Sequence, residues 1–135
     1  MSDTARAGDV VRALWDRFEA RDWEGAAPLL DPGLAVEWPA TRERFTTAAA
    51  YLSMNRAYPE PWGHMRVMEV VSQGDRAAAL VAIDAPDGVF RCAGFYRVVD
   101  GRIVEATELW LSEGAEQPPP ERARWSTPVP AESPG

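Results

Sequence analysis

Residues 64–112 hold four consecutive stretches in which apolar side chains recur at strand-like spacing, and every junction between them is a short turn signal. The junctions are Gly74-Asp75, Pro86-Asp87-Gly88 and Asp100-Gly101. None is long enough for a crossover helix, so the stretches 64–73, 76–85, 89–99 and 102–113 are predicted to pair as an antiparallel meander. Its last member, RIVEATELWLSE, is the most informative. Alternation puts Val104, Ala106, Glu108 and Trp110 on one face and Ile103, Glu105, Thr107, Leu109 and Leu111 on the other. Each face is largely apolar, and each carries one glutamate.

The residues before the meander read as helices. Val11, Leu14, Trp15 and Phe18 form one apolar stripe, so a helix is predicted over about 9–21 with Asp9 as its N-cap. A second, short helix follows Asp22, with Pro28 interrupting it and Asp31-Pro32-Gly33 turning the chain. A brief strand is expected over 34–38, stopped by Pro39. After the polar stretch 40–44 comes a third helix over about 45–58, closed by Pro59 and Pro61. On it Tyr51, Asn55 and Tyr58 share a face near Leu52 and Met54.

Length and charge exclude several classes. The 135 residues suit one domain, and an apolar share of 46% is enough for a packed core. The net charge is −7, with fourteen arginines and no lysine, which argues against nucleic acid or an anionic membrane surface as a partner. The single cysteine, Cys92, can form neither an internal disulfide nor a cysteine metal cluster, and reads as a buried, inert thiol. The opening MSDTARAGD lacks a signal-peptide core, and no apolar run is long enough to span a bilayer, so a cytoplasmic location is expected. The domain is assigned to residues 1–114 and a proline-rich tail to 115–135, with order in the tail expected at most around Trp125.

The sequence VVRALWDRFEARDWEGAAPLLDP, the segment WPATRERF, the helix end MNRAYP and DGRIVEATELW, in that order and spacing, resemble the NTF2-like superfamily and its SnoaL-like branch. The RARW near Trp125 is similar to the ending of bacterial NTF2-like proteins. The resemblance implies a cone-shaped α+β fold, with three N-terminal helices against a strongly bent, mostly antiparallel sheet and a cavity at the wide end. It also implies ketosteroid-isomerase-like, polyketide-cyclase-like or hydrolase-like chemistry without a cofactor, or a non-catalytic binding or association role. A shared fold does not choose among these. An arginine between two aspartates, as in the hydrolase-like arrangement, has no match here. The isomerase-like spacing of an acidic base, a tyrosine and a protonated aspartate is not reproduced.

The candidate site follows from the faces. If Glu108 enters the cavity beside Trp110, desolvation raises its pKa and suits it to proton transfer. The alternative is a glutamate paired with Arg91 or Arg97, and exchanging the faces would put Glu105 in its place. Tyr51, Asn55 and Tyr58 would orient a ligand oxygen, with Trp38 and Trp110 as aromatic walls. His64, the only histidine, is a second candidate base at a strand start, and Glu37 a reserve. Asp16 is read as solvated and Asp84 as serving its turn. No metal-ligand spacing is present and no cofactor is expected. The expected partners are a hydrophobic, carbonyl-containing small molecule and a second copy of the chain, docked through Ile103, Leu109 and Leu111.

Overall fold

A computed structural model describes residues 6–130. The first five residues of MSDTARAGD and Pro134 of the tail lie outside the described residues. The first helix, α1 (Ala7–Glu19), buries Val11, Leu14, Trp15 and Phe18 as its stripe requires. Arg6, not Asp9, occupies the N-cap; Asp9 stands in the first turn, where its charge suits the amide end of the helix. The helix ends two residues earlier than expected. Arg21 adopts a left-handed backbone (φ 57°) and its guanidinium donates to the carbonyls of Phe18 and Glu19 at the end of the helix.

Asp22 caps α2 (Trp23–Ala26) by accepting from the Gly25 amide at 2.9 Å. Pro28 then sits in a 3-10 turn, Ala27–Leu29, the interruption expected of it. Asp31-Pro32-Gly33 does not turn the chain away. It lies within a nine-residue strand, β1 (Leu30–Trp38), as an irregularity in the pairing between Leu30 and Ala35. The polar stretch contains a short strand, β2 (Glu43–Phe45), so the third helix begins later, at α3 (Ala48–Ala57), capped by the Thr47 hydroxyl.

The meander forms as β3 (His64–Gln73), β4 (Arg76–Ala85), β5 (Gly88–Val99) and β6 (Arg102–Ser112). The six strands make one sheet in the order β2-β1-β6-β5-β4-β3, antiparallel except where β1 lies parallel to β6. The class is α+β. The helix α1 packs against β3, β4 and β5, and its buried stripe meets Val81, Cys92, Tyr96 and Ala106 in one core.

One expectation about β6 changes. Arg97 pairs with Glu105 but Val98 with Ile103, so Val104 is an extra residue that shifts the alternation. Ile103 is therefore buried in the core and Val104 half-buried, the reverse of the expected faces, whereas Ala106, Glu108 and Trp110 point inward. Beyond β6 the described tail is exposed. It contains a 3-10 turn, Pro120–Arg124, with Arg124 over the ring of Trp125.

Candidate functional site

Glu108 is wholly buried, and it reaches that position because β6 faces inward at Ala106, Glu108 and Trp110. Across the ladder from it stands Gly94. A Cβ there would lie 2.2 Å from the Tyr96 hydroxyl, so the missing side chain is what lets the Tyr96 ring fold across β5 toward the carboxyl. Tyr96 donates to Glu108 Oε2 at 2.7 Å and accepts from the Trp15 indole at 3.3 Å. Tyr51 of α3 donates at 3.0 Å, equidistant from both carboxyl oxygens. Trp38, the last residue of β1, donates its indole N–H to Oε1 at 3.0 Å. Three separate elements, α3, β1 and β5, thus converge on one carboxyl carried by β6.

Every one of these partners is a neutral donor. Arg97 instead pairs with Glu105 at 2.5 Å and Arg91 with Glu113 at 2.9 Å. Glu108 therefore feels two opposed effects. Burial penalises its charge and raises its pKa, while the donors Trp38, Tyr96 and Tyr51 favour the carboxylate and pull the value back; burial wins, and the net direction is up. The Tyr51 and Tyr96 phenols are pushed well above their usual range, by burial first and then by the Glu108 charge. The same two causes, in the same order, raise Cys92, which is fully buried.

A cavity of about 520 Å³ lies beside this network. The indoles of Trp38 and Trp110 form one wall, with ring centroids 5.8 Å apart, and Tyr58 with Trp62 another, 6.2 Å apart. Met54, Asn55 and Phe90 contribute to the lining, and the exposed Glu43 and Asp87 stand at its rim. Asn55 is held by donating its amide to the Tyr51 carbonyl at 2.9 Å. Arg21 braces Trp62 from outside the cavity. Its guanidinium lies 4.1 Å from the ring centroid, bonds Glu60 at 2.8 Å and draws the Glu60 carboxyl down to about 2, chiefly through that hydrogen bond.

The structure separates the candidate residues into groups. Trp38, Asn55, Tyr58 and Trp110 line the cavity together. Tyr51 and Glu108 sit one layer behind it, joined to it through Trp38, which touches both the cavity and the carboxyl. His64 is elsewhere: its ring is exposed and pairs with Glu19, which also accepts from the Met65 amide. Glu37 faces outward and pairs with Arg44, Asp84 pairs with Arg66 at 2.7 Å, and Asp16 is exposed. Among the described residues no group of three or more histidine, cysteine or acidic side chains stands placed to hold a metal ion. No helix among them is long and apolar enough to cross a membrane.

Sequence reasoning missed Tyr96 and Trp15 as members of the network. A signal existed, since Tyr96 shares its strand face with Cys92 and a buried carboxyl requires donors. The acids Glu43 and Asp87 were missed as rim residues because each belongs to a polar segment, Glu43 at the start of β2 and Asp87 in the turn before β5, that looks ordinary in one dimension.

A helix-backed six-stranded sheet enclosing a side cavity is the NTF2-like architecture. The chain belongs to the SnoaL-like domain family, whose model matches residues 11–106. It is similar to a crystal structure from Kribbella flavida DSM 17836 provisionally named a ketosteroid isomerase, at 35% identity and a TM-score of 0.87, over 98% of this chain and 96% of that one. An LEH-like epoxide hydrolase of M. tuberculosis shares 17% identity and a TM-score of 0.68, over 82% of this chain and 86% of that one. A protein of Streptomyces antibioticus provisionally named a polyketide cyclase shares 18% and 0.66, over 81% and 93%. The last two show the fold alone. No curated protein matches the sequence.

Proposed function

We propose that this protein binds a hydrophobic, carbonyl-bearing small molecule in the cavity walled by Trp38, Tyr58 and Trp110. The supporting observation is the cavity itself. A space of about 520 Å³ lined mostly by aromatic and aliphatic side chains, with the fixed amide of Asn55 among them, has the size and chemistry of a small-ligand site. Asn55 is the residue that orients the ligand oxygen. Native mass spectrometry of the purified protein tests this: a retained or added apolar ketone should appear as a one-to-one adduct. Loss of that adduct in a folded Trp110→Arg variant supports the site, and an undiminished adduct removes it.

A second reading adds chemistry. Glu108 is a buried carboxyl with a raised pKa, hydrogen-bonded to the Trp38 indole that lines the cavity. Rotation of Trp38 would bring the carboxyl to a bound ligand, as a cofactor-independent proton-transfer group of the isomerase or cyclase kind. Under this reading Glu108→Gln keeps ligand binding and abolishes turnover; under the first there is no turnover to lose. The outer sheet face, where Phe95 and Leu109 are exposed, is the proposed homodimer surface. Leu109→Arg should then shift the sedimentation profile to monomer. A cytoplasmic site of action and a functional unit within residues 1–114, followed by the proline-rich tail 115–135, complete the proposal.

A further inference from the structure

The charge of the cavity wall carries more than its shape does. Fourteen arginines are present in the chain, yet none lines the cavity, and neither does the single histidine. Among the described residues the only ionisable groups there besides the Tyr58 phenol are the carboxyls of Glu43 and Asp87. Both residues are exposed, and neither forms an ion pair among the described residues; Glu43 accepts only from the Thr41 hydroxyl, at 2.6 Å. Of the cations nearest in sequence, Arg44 is matched by Glu37 and Arg91 by Glu113, while Arg42, beside Glu43, is exposed and does not line the cavity. Arg21, behind Trp62, is matched by Glu60 and Glu19. Inside the rim stand the rings of Trp38, Tyr58, Phe90 and Trp110. Aromatic faces attract a cation and repel an anion, and desolvation strengthens that preference.

We infer that the carbonyl-bearing ligand of this cavity also carries a protonated amine: its ring system lies against the tryptophans and its ammonium meets Glu43 and Asp87 at the rim. The inference rests on the cavity being a ligand site, and deepens that reading by naming the charge of what it holds. A carboxylate-bearing ligand is disfavoured twice. It would face two like charges at the mouth, with no cation in the wall to receive it.

Three probes of one shape isolate the charge: 2-naphthylmethylamine, 2-naphthylmethanol and 2-naphthoate, titrated calorimetrically into the full chain at neutral pH, at low and at high salt. The amine should bind about five- to tenfold more tightly than the alcohol at low salt, with naphthoate weakest, and salt should narrow the gap. In a Glu43→Gln/Asp87→Asn double variant the amine-to-alcohol ratio should fall toward one. Both positions are exposed, so a circular dichroism spectrum matching the wild type is expected of the variant. Naphthoate binding as tightly as the amine overturns the inference while leaving the cavity a ligand site. An amine preference that survives in the double variant overturns the assignment to Glu43 and Asp87. Absence of binding by all three probes overturns both the inference and the reading of the cavity beneath it.

Discussion

Replacing Glu108 with alanine removes the acceptor on which three buried donors depend. Trp38 can only donate, and the Tyr51 and Tyr96 hydroxyls are aimed at the same carboxyl. Each buried donor left without a partner costs about 1–3 kcal/mol, so the three together cost roughly 3–9 kcal/mol. The void left by the side chain adds to this, and the removal of a desolvated acid offsets part of it. Against a typical domain stability of about 5–15 kcal/mol, Glu108→Ala should leave a marginal fold. Glu108→Gln is gentler. It keeps one carbonyl oxygen to accept, and the tyrosine facing its amide can rotate its hydroxyl to receive a hydrogen bond, so the loss should be about 1–2 kcal/mol. Urea unfolding followed by circular dichroism and tryptophan fluorescence gives both values. An alanine variant within about 1 kcal/mol of wild type, below even one stranded donor, would show that the carboxyl does not organise these side chains.

Other consequences follow from the same network. In the folded protein Glu108 keeps its proton to a higher pH than in the unfolded chain, where the usual value is 4.5. Between those two values the folded state binds more protons, so this group's contribution makes stability fall as pH rises, by at most about 1.4 kcal/mol per pH unit. The contribution is fully present below the unfolded value and is lost through the raised one. Unfolding measured across that window in wild type and Glu108→Gln should show the extra slope in wild type alone, and parallel curves would refute it. Gly94→Ala should force the Tyr96 ring away, breaking its bonds to Glu108 and Trp15 for a loss of about 2–4 kcal/mol in denaturant unfolding. An unperturbed Gly94→Ala protein would mean that Tyr96 does not need that space.

The sheet was legible because turn chemistry and period-two patterning agree across residues 64–112. The pairing of β1 parallel to β6 was not legible, since strands so distant in sequence leave no local trace of being neighbours. The extra residue at Val104 explains why Ile103 went to the wrong face while Glu108 did not. A bulge shifts alternation on one side of itself only, and Glu108 lies beyond it. The short strand β2 was hidden in a polar segment where propensity is weak and pairing with Trp38 and Val36 decides. For the site, periodicity placed Tyr51 and Asn55 on one buried helix face. It had no means of showing that Tyr58, three residues further on, would stay exposed at the cavity, or that Glu108 would be sealed behind Trp38. Those outcomes depend on how separate elements meet.

The six tryptophans offer the most direct test of the central claim, that the space beside Glu108 is where a ligand binds. Trp38, Trp62 and Trp110 line the cavity, whereas Trp125 stands exposed on the tail. A nitrogen-proton correlation spectrum resolves one indole signal for each, and titration with an apolar aryl ketone reads them all at once. The expected result is saturable movement of the Trp38, Trp62 and Trp110 signals with Trp125 unmoved. Movement confined to Trp125, or no saturable movement with any apolar ketone, amine or alcohol of fitting size, would contradict the account.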